Sequence, residues 1–400
     1  MNRIVRLTAL LLTVAALAAC GEASVPATEE PLPADAIALD YYRGHYYFDA
    51  AVCDSLPARL IFDTGATGLC VDSTWLARSG WKPRRLAQAL LSGAGSATES
   101  VPLLLDTLAF RVDTLRLESR HTAVVDLKSI LGRRADGIFG PDYFAGRCVL
   151  FDLGRGYMRG IDADTLAAAG FSRAETQRRG NDLFVRVRVR FDAARVVEGW
   201  FLLDTGSGSE LVVNAPAARR AGLDGYQGRR LCYATVAGGI GGASEIETCR
   251  ADSVAFGGRT LAGVPVDISR NASGYLSRED VAGVIGNKLL ERFLFAIDFA
   301  ASVLWLRPAE GCDAPFAYET AGIGTIDRTD ICAGWVVTGL YDGIAPEGLR
   351  PGDAIVACDG LPLAGGADLD SLLRRPGGHR IETVRGSGRM HYDVETKERL

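Results

Sequence analysis

Short apolar runs that lead into a polar turn are the main pattern of this chain, and one such unit occurs twice. Residues 60–62 are apolar and are followed by Asp63-Thr64-Gly65, while residues 200–203 are apolar and are followed by Asp204-Thr205-Gly206. Short apolar runs bounded by glycine are typical of buried β-strands. The pattern therefore predicts two equivalent strands, each ending in an Asp-Thr-Gly turn.

A short helix is predicted after each turn, with a capping residue at its start and a glycine at its end. The two stop glycines lie 17 and 18 residues after their aspartates. In the first copy Asp72 and Ser73 are possible caps and Gly80 is the stop. In the second copy Asn214 is the cap, Pro216 lies near the first helical position and Gly222 is the stop.

A hydrophobic-hydrophobic-glycine segment also occurs in both halves, as Gly137-Ile138-Phe139-Gly140 and as Gly283-Val284-Ile285-Gly286. The final glycines lie 77 and 82 residues after the aspartates, and twelve residues further on each copy has an apolar run ending in Asp152 or Asp298. Landmarks in the same order at nearly equal spacing indicate a duplicated unit of roughly 120 residues.

Over residues 37–307 this arrangement resembles the pepsin and retropepsin class of aspartic proteases. The resemblance implies a mostly β, two-lobed fold of double-ψ β-barrel type, in which each lobe supplies one Asp-Thr-Gly turn. It also implies that Asp63 and Asp204 are the catalytic pair, that peptides or proteins are the substrates and that no cofactor or metal is needed. Because single-lobe relatives form homodimers and this chain holds both lobes, we expect a monomer.

The residues around the pair have expected supporting roles. Glycine lacks Cβ and lets backbone amides approach the carboxylates, and a hydroxyl next to a carboxylate favours its ionised form, so we expect inequivalent aspartates. The resemblance implies that the threonines bond across the lobe junction and that the apolar segments cross beneath the turns. The supporting residues are Thr64, Gly65, Thr205, Gly206, Ser207, Phe139, Gly140, Ile285 and Gly286.

Two glycine-rich tips are candidates for the flaps that cover the cleft in this family. Gly93 and Gly95 mark the tip in the first lobe, and Gly239 and Gly241 mark the tip in the second. Neither tip carries the flap tyrosine typical of pepsins. Cys232 and Cys249 flank the second tip and could form a disulfide or remain separate thiols.

The C-terminal part resembles a bacterial PDZ domain through the run Gly348-Leu349-Arg350-Pro351-Gly352-Asp353, which should close a short helix and enter a strand. A strand is expected at residues 335–337 and a helix at residues 368–374. Gly322, Ile323 and Gly324 would then form the loop that holds the carboxylate of a peptide C-terminus. The alternative is a PDZ-like fold that packs on the protease and binds nothing.

The N-terminus has the features of a secretion signal, with Arg3 and Arg6 before an apolar stretch that is too short to span a bilayer. Its end, Leu17-Ala18-Ala19-Cys20, resembles the lipobox of bacterial lipoproteins, which implies a lipid on Cys20. A plain signal peptide is the alternative. We expect a protein anchored to the bacterial cell envelope by this lipid, facing the periplasm or the exterior.

Length and composition restrict the remaining possibilities. A chain of 400 residues suggests two or three domains, and a net charge of −5 argues against nucleic acid as a partner. The eight cysteines after Cys20 lack C-x-x-C spacing and the four histidines are scattered, so no metal site is predicted. The expected parts are a signal peptide (1–20), a tether (21–36), lobe one (37–178), lobe two (179–311) and a PDZ-like domain (312–400). A non-catalytic scaffold that binds peptides is the alternative to an endopeptidase.

Overall fold

The computed structural model describes residues 31–93, 95 and 97–400. The predicted signal peptide, the lipid-bearing Cys20 and most of the tether lie outside the described residues. Residues 34–400 form one compact unit of mostly β structure, as the sequence predicts. Among the described residues, no helix is both long and apolar enough to cross a membrane.

The first half consists of strands and two short helices. Its strands are β1 (Ile37–Ala38), β2 (Asp40–Tyr42), β3 (His45–Val52), β4 (Leu56–Phe62), β5 (Leu69–Asp72), β6 (Leu86–Ser92), β7 (Thr98–Leu104), β8 (Leu108–Val112), β9 (Leu115–Ser119), β10 (Thr122–Val125), β11 (Gly137–Phe139), β12 (Cys148–Asp152) and β13 (Tyr157–Gly160). Its helices are α1 (Ser73–Ser79) and α2 (Lys128–Leu131).

The second half also consists of strands and two short helices. Its strands are β14 (Ser172–Arg173), β15 (Thr176–Arg179), β16 (Asp182–Arg190), β17 (Val196–Leu203), β18 (Leu211–Val213), β19 (Arg230–Thr235), β20 (Ser244–Phe256), β21 (Arg259–Ser269), β22 (Gly283–Ile285), β23 (Phe293–Asp298) and β24 (Val303–Pro308). Its helices are α3 (Ala215–Arg220) and α4 (Asn287–Leu290).

The remaining residues form what we call the C-terminal unit, residues 319–398. Its elements are β25 (Glu319–Thr320), β26 (Ile323–Asp327), β27 (Trp335–Tyr341), β28 (Ala354–Cys358), β29 (Leu361–Pro362), α5 (Leu369–Leu373), β30 (Gly377–Arg385) and β31 (Gly388–Glu398). Single 3-10 turns along the whole chain are Pro141–Phe144, Ala163–Thr165, Leu223–Gly225, Tyr275–Ser277 and Leu363–Gly365.

The two halves repeat one strand topology. In the first, β11 lies between β4, to which it is parallel, and β5, to which it is antiparallel. In the second, β22 lies in the same way between β17 and β18. The hydrophobic-hydrophobic-glycine segments therefore form the strand next to each aspartate-bearing strand.

The predicted helix starts are also present. Asp72 accepts a hydrogen bond from the Trp75 amide (2.8 Å) at the start of α1, and Asn214 accepts one from the Ala217 amide (2.9 Å) at the start of α3. Gly80 ends α1 in the left-handed region, where glycine is favoured.

A six-stranded sheet joins the two halves, in the order β1-β13-β12-β23-β24-β14. Its central pair, β12 and β23, is antiparallel. These strands end in Asp152 and Asp298, the last landmarks of the repeat. A large apolar core lies above this sheet and includes stacked Phe62 and Phe151, whose ring centres are 5.5 Å apart.

The C-terminal unit continues the sheet of lobe two, because β27 pairs with β19. It has its own small core around Trp335, Ile355 and Ile381. Strand β27 and helix α5 lie where a strand and a helix were expected, whereas the residues just before Gly348 form turns. All eight described cysteines are free thiols, so the Cys232–Cys249 disulfide does not form: Cys232 lies opposite Glu247 and Cys249 opposite Arg230.

Candidate active site

Asp63 and Asp204 directly follow equivalent strands, β4 and β17. The Asp63 amide donates to the Phe139 carbonyl (3.1 Å), and the Asp204 amide donates to the Ile285 carbonyl (3.0 Å). The crossing strands β11 and β22 therefore hold the backbone of each aspartate at its turn. Gly140 and Gly286 follow these strands in direct contact with the backbone of the loops after Asp63 and Asp204.

The two threonines join the turns through a reciprocal set of hydrogen bonds. Each threonine amide donates to the other hydroxyl, with both distances 3.0 Å. The Thr64 hydroxyl donates to the Leu203 carbonyl (2.6 Å), and the Thr205 hydroxyl donates to the Phe62 carbonyl (3.0 Å). Since both threonines are buried, these bonds fix the positions of the two turns relative to each other.

The two carboxyl groups face each other across the junction and share a hydrogen bond. The Gly65 amide donates to Asp63 Oδ1 (2.7 Å), and the Gly206 amide donates to Asp204 Oδ1 (2.8 Å). A Cβ atom on Gly206 would lie 2.4 Å from the Asp63 carboxyl carbon. Only glycine therefore allows this close approach.

Burial raises the pKa of both aspartates, and the rise is larger for Asp204. At Asp204 the negative charge of Asp63 adds to the effect of burial. At Asp63 the amide of Gly65 and the hydrogen bond from Asp204 oppose the rise of the pKa. The two carboxyl groups therefore titrate as a pair that holds a shared proton.

The expected inequivalence of the aspartates has a different origin from the one that the sequence suggested. The Ser207 hydroxyl exchanges a hydrogen bond with the Ser209 hydroxyl (2.9 Å). The difference between the carboxyl groups comes from their mutual hydrogen bond and from the backbone amides around Asp63.

A cavity of about 880 Å³ lies over the pair. The candidate flap tips close it from both lobes: the Gly95 amide donates to the Ile240 carbonyl, and the Ala97 amide donates to the Gly241 carbonyl, both at 3.0 Å. A Cβ atom on Gly95 would lie 2.2 Å from the Gly241 carbonyl carbon, so this contact requires glycine. Gly93 and Gly239 line the cavity beneath the tips.

Several residues of the site carried no signal in the sequence. His45 places its two ring nitrogens 3.0 Å from the Arg43 carbonyl and 3.1 Å from the Gly206 carbonyl, and burial lowers its pKa to about 4. Asn287 is buried and donates to the Gly44 and Thr205 carbonyls. Both residues contact backbone carbonyls of the loop that follows Asp204.

Tyr275 also lines the cavity, and the sequence did not predict it. Its amide donates to the Gly93 carbonyl (3.4 Å), which joins it to the tip in lobe one. Its hydroxyl is buried and has no hydrogen-bond partner among the described residues. A tyrosine is therefore present beside the flaps, although it comes from a loop of lobe two.

Gly322, Ile323 and Gly324 lie in the C-terminal unit and are not among the residues that line the catalytic cavity. The Gly322 amide donates to the Thr320 hydroxyl (3.0 Å), and Tyr233 of lobe two packs directly against Gly324.

One group of metal-ligand side chains lies in the C-terminal unit, where Cys358, Asp359 and His379 place one ligand atom each within 4.8 Å of the others. The ring nitrogens of His379 lie 2.7 Å from an Asp359 carboxylate oxygen and 2.7 Å from the Arg375 carbonyl. The Asp359 carboxylate and the Arg375 carbonyl outweigh burial and raise the pKa of His379. Because a protonated imidazole donates to both acceptors, a proton alone satisfies this group.

A comparison with protein families identifies the family of this chain. The family model described as "Aspartyl protease" matches residues 48–143 and 186–289, one match in each lobe and together half of the chain. The structure of the aspartic proteinase from Irpex lacteus is similar with a TM-score of 0.44 and 12% identity, covering 70% of this chain and 98% of that one. No curated protein matches the sequence significantly. The chain therefore belongs to the aspartyl protease family.

Proposed function

We propose that the protein is an aspartic endopeptidase that hydrolyses peptide bonds with a water molecule activated by Asp63 and Asp204. The observation that carries this proposal is the reciprocal threonine network, which brings the two carboxyl groups face to face on the wall of a cavity that the flap tips bridge. No structural role requires two buried acidic groups at this distance, since their repulsion opposes folding.

The electrostatics of the pair suit its proposed chemistry. Two negative charges about 3 Å apart repel by roughly 5 kcal/mol at an effective dielectric constant near 20, so the pair retains one proton over a wide pH range. Aspartic-protease dyads are the standard example of this effect.

In the proposed reaction the ionised carboxylate of the pair removes a proton from water as the water oxygen bonds to the peptide carbonyl carbon. The protonated carboxyl of the pair gives its proton to the carbonyl oxygen, which forms a neutral tetrahedral diol. Collapse of the diol breaks the C–N bond: one hydroxyl proton returns to a carboxylate while the other carboxyl protonates the leaving nitrogen. The water is consumed, and the pair regains its single shared proton.

The cavity suits an extended peptide with apolar side chains. Ala89, Leu91 and Leu103 of lobe one and Ile240 of lobe two contribute to its walls. Since the tips are bonded to each other, they must separate to admit a chain that continues in both directions. Tyr275 also contributes to the wall.

We also propose that a lipid on Cys20 anchors the enzyme to the cell envelope. The apolar run, the small residues before Cys20 and the polar segment after it support this location. The C-terminal unit is proposed to be a PDZ-like peptide-binding domain, supported by its Gly-Leu-Arg-Pro-Gly-Asp run and by the strand and helix at the expected positions.

A peptide-binding scaffold without catalysis is the second candidate. The hydrogen-bonded tips favour it, because a cavity closed in this way would retain a bound peptide rather than exchange it quickly.

The two candidates are separated by incubating residues 21–400 with a diverse peptide pool between pH 3 and 8 and identifying cuts by mass spectrometry. Cleavage should disappear in Asp63→Asn and in Asp204→Asn. Asp267→Asn is the matched control, because burial also raises the pKa of Asp267, to about 6, although it does not line the cavity. Folded protein that binds peptides but cuts none at any pH would establish the scaffold instead.

A further inference from the structure

A two-residue turn in lobe one connects the active site with the C-terminal unit. We call residues 42–45 the Arg43 turn. It joins β2 to β3, and both of its central residues lie in the left-handed region, with φ of 52° at Arg43 and 81° at Gly44. Such turns favour asparagine or glycine at both positions, so an arginine there has a strained backbone. Contacts of its side chain must offset this strain.

The C-terminal unit holds that side chain with three different groups. Arg43 Nε lies 2.6 Å from Asp370 Oδ2 of α5, and Nη2 donates to the Thr325 carbonyl of β26 (2.6 Å). The guanidinium carbon lies 5.2 Å from the ring centre of the buried Trp335. A carboxylate, a carbonyl and an aromatic face are the partners that a guanidinium prefers, and an ammonium group cannot match this planar geometry.

These groups form a groove between β26 and α5. Strand β26 pairs only with β27 among the described strands, which leaves its other edge for lobe one. The Arg133 amide donates to the Asp327 carbonyl (2.8 Å), next to the contact of Arg43 with Thr325. Tyr42 donates to Asp368 at the start of α5 (2.9 Å). Lobe one therefore occupies the position that an added peptide strand would take.

The opposite side of the same turn contacts the loop of Asp204. Through His45, the turn reaches the Gly206 carbonyl. The Gly44 carbonyl accepts a hydrogen bond from Asn287 Nδ2 (2.5 Å), and a Cβ on Gly44 would lie 2.7 Å from Gly208 Cα. Since the Gly206 amide bonds to the Asp204 carboxylate, displacement of the turn would disturb a catalytic group.

We propose that the C-terminal unit contains an arginine-binding groove, formed by Asp370, the Thr325 carbonyl and Trp335, which Arg43 fills and through which this unit positions the Asp204 loop. The ligand class is a guanidinium carried by a peptide, and a free peptide with an arginine competes with Arg43. The catalytic consequence rests on the proposed protease function, whereas occupancy of the groove does not.

The positioning role is tested by hydrogen exchange of residues 205–211, measured by mass spectrometry in the full chain. Arg43→Ala and Asp370→Asn should each increase exchange in this segment about tenfold, the effect of losing one charge-assisted hydrogen bond. Arg186→Ala is the matched control, because Arg186 also pairs with a carboxylate (Glu198, 2.9 Å) and lies over an indole (Trp200, 5.7 Å) on lobe two. Unchanged exchange in both groove variants would overturn the positioning role.

Activity provides a second readout, because positioning through the Asp204 loop should lower kcat while KM stays nearly constant. Arg43→Lys should restore only part of kcat, since lysine keeps the charge and loses the planar contacts. If the wild-type protein cleaves nothing, the proposed protease function fails, and the exchange experiment still decides the contact.

The ligand class is tested by titrating an extended peptide with one central arginine, and its glutamine counterpart, into the full-length variants. The arginine peptide should bind Arg43→Ala at least tenfold more tightly than wild type, because the groove is then empty, and Arg43→Ala with Asp370→Asn should lose this gain. Equal binding of the arginine and glutamine peptides to Arg43→Ala would overturn the proposed ligand.

Discussion

The loop of Asp63 and the loop of Asp204 each receive support from a hairpin turn of the opposite lobe. The Arg43 turn reaches the Asp204 loop through His45 and Asn287. In the other direction, the turn between β15 and β16 reaches the Asp63 loop: Asn181 donates to Asp142 Oδ1 (2.7 Å), and Asp142 Oδ2 accepts from the Gly68 amide (2.7 Å).

The two turns differ in how deeply they are buried and in whether another part of the chain contacts them from outside. Gly44 and Asn287 are buried, and the C-terminal unit holds Arg43 from outside. Gly180 and Asn181 are exposed. The inner threonine network is thus symmetric between the two halves, whereas the outer supports differ.

The largest effects are expected where the two loops are equivalent. Thr64→Val and Thr205→Val should each destabilise the protein by about 3 kcal/mol, because each leaves a buried amide and a buried carbonyl without a partner. Unfolding in denaturant measures this effect, and activity should fall in parallel.

Thr64→Val removes the two bonds made by the Thr64 hydroxyl, and Thr205→Val removes the two made by the Thr205 hydroxyl. Because all four bonds belong to one network, the loss in the double threonine variant should differ from the sum of the single losses. Additive losses, or clearly unequal single losses, would show that the two threonines do not act as one network.

The second prediction compares a glycine in each of the two turns. Gly44→Ala should cost about 2–3 kcal/mol, since it adds the strain of φ 81° to a collision with Gly208. Gly180→Ala should cost only about 1 kcal/mol, because φ is 63° and a Cβ there meets nothing within 4 Å. Thermal unfolding of both variants, with kcat measured beside it, tests the difference. Similar costs would mean that the Arg43 turn is not packed tightly against the Asp204 loop.

The third prediction compares the side chains that connect turn and loop. Asn287→Ala should cost about 2 kcal/mol, because it leaves the Gly44 and Thr205 carbonyls without their donor. Asn181→Ala should cost less than about 0.5 kcal/mol, since water replaces its exposed contact with Asp142. Denaturant unfolding at constant pH measures both, and an equal cost would remove the distinction between buried and exposed support.

The sequence predicted the parts of the site that the duplication repeats. Paired landmarks identified the two strands, the crossing segments and the helix caps, and the mostly β, two-lobed fold is confirmed. Local signals of this kind depend on neighbouring residues only, so they are visible in the chain itself.

The contacts that distinguish the two loops could not be predicted in this way. His45 meets Gly206 across 161 positions of sequence, and Asn287 meets Gly44 across 243. Neither pair of residues is repeated in the other half of the chain, so the duplication does not indicate it. The sequence likewise indicated each flap tip separately, and the hydrogen bonds between the tips follow only from the arrangement of the lobes.

The smallest expected effect concerns the protons of the catalytic pair. A carboxyl whose pKa is raised by folding stabilises the folded state fully below its unfolded pKa, near 4, and this contribution disappears as the pH rises through the raised pKa. Asparagine does not ionise, so Asp204→Asn and Asp63→Asn should gain stability relative to wild type as the pH rises from 4 to 8, by about 1–2 kcal/mol. Denaturant unfolding across this pH range tests the prediction, and a gap between variant and wild type that is constant with pH would mean that the two carboxyl groups do not share a proton.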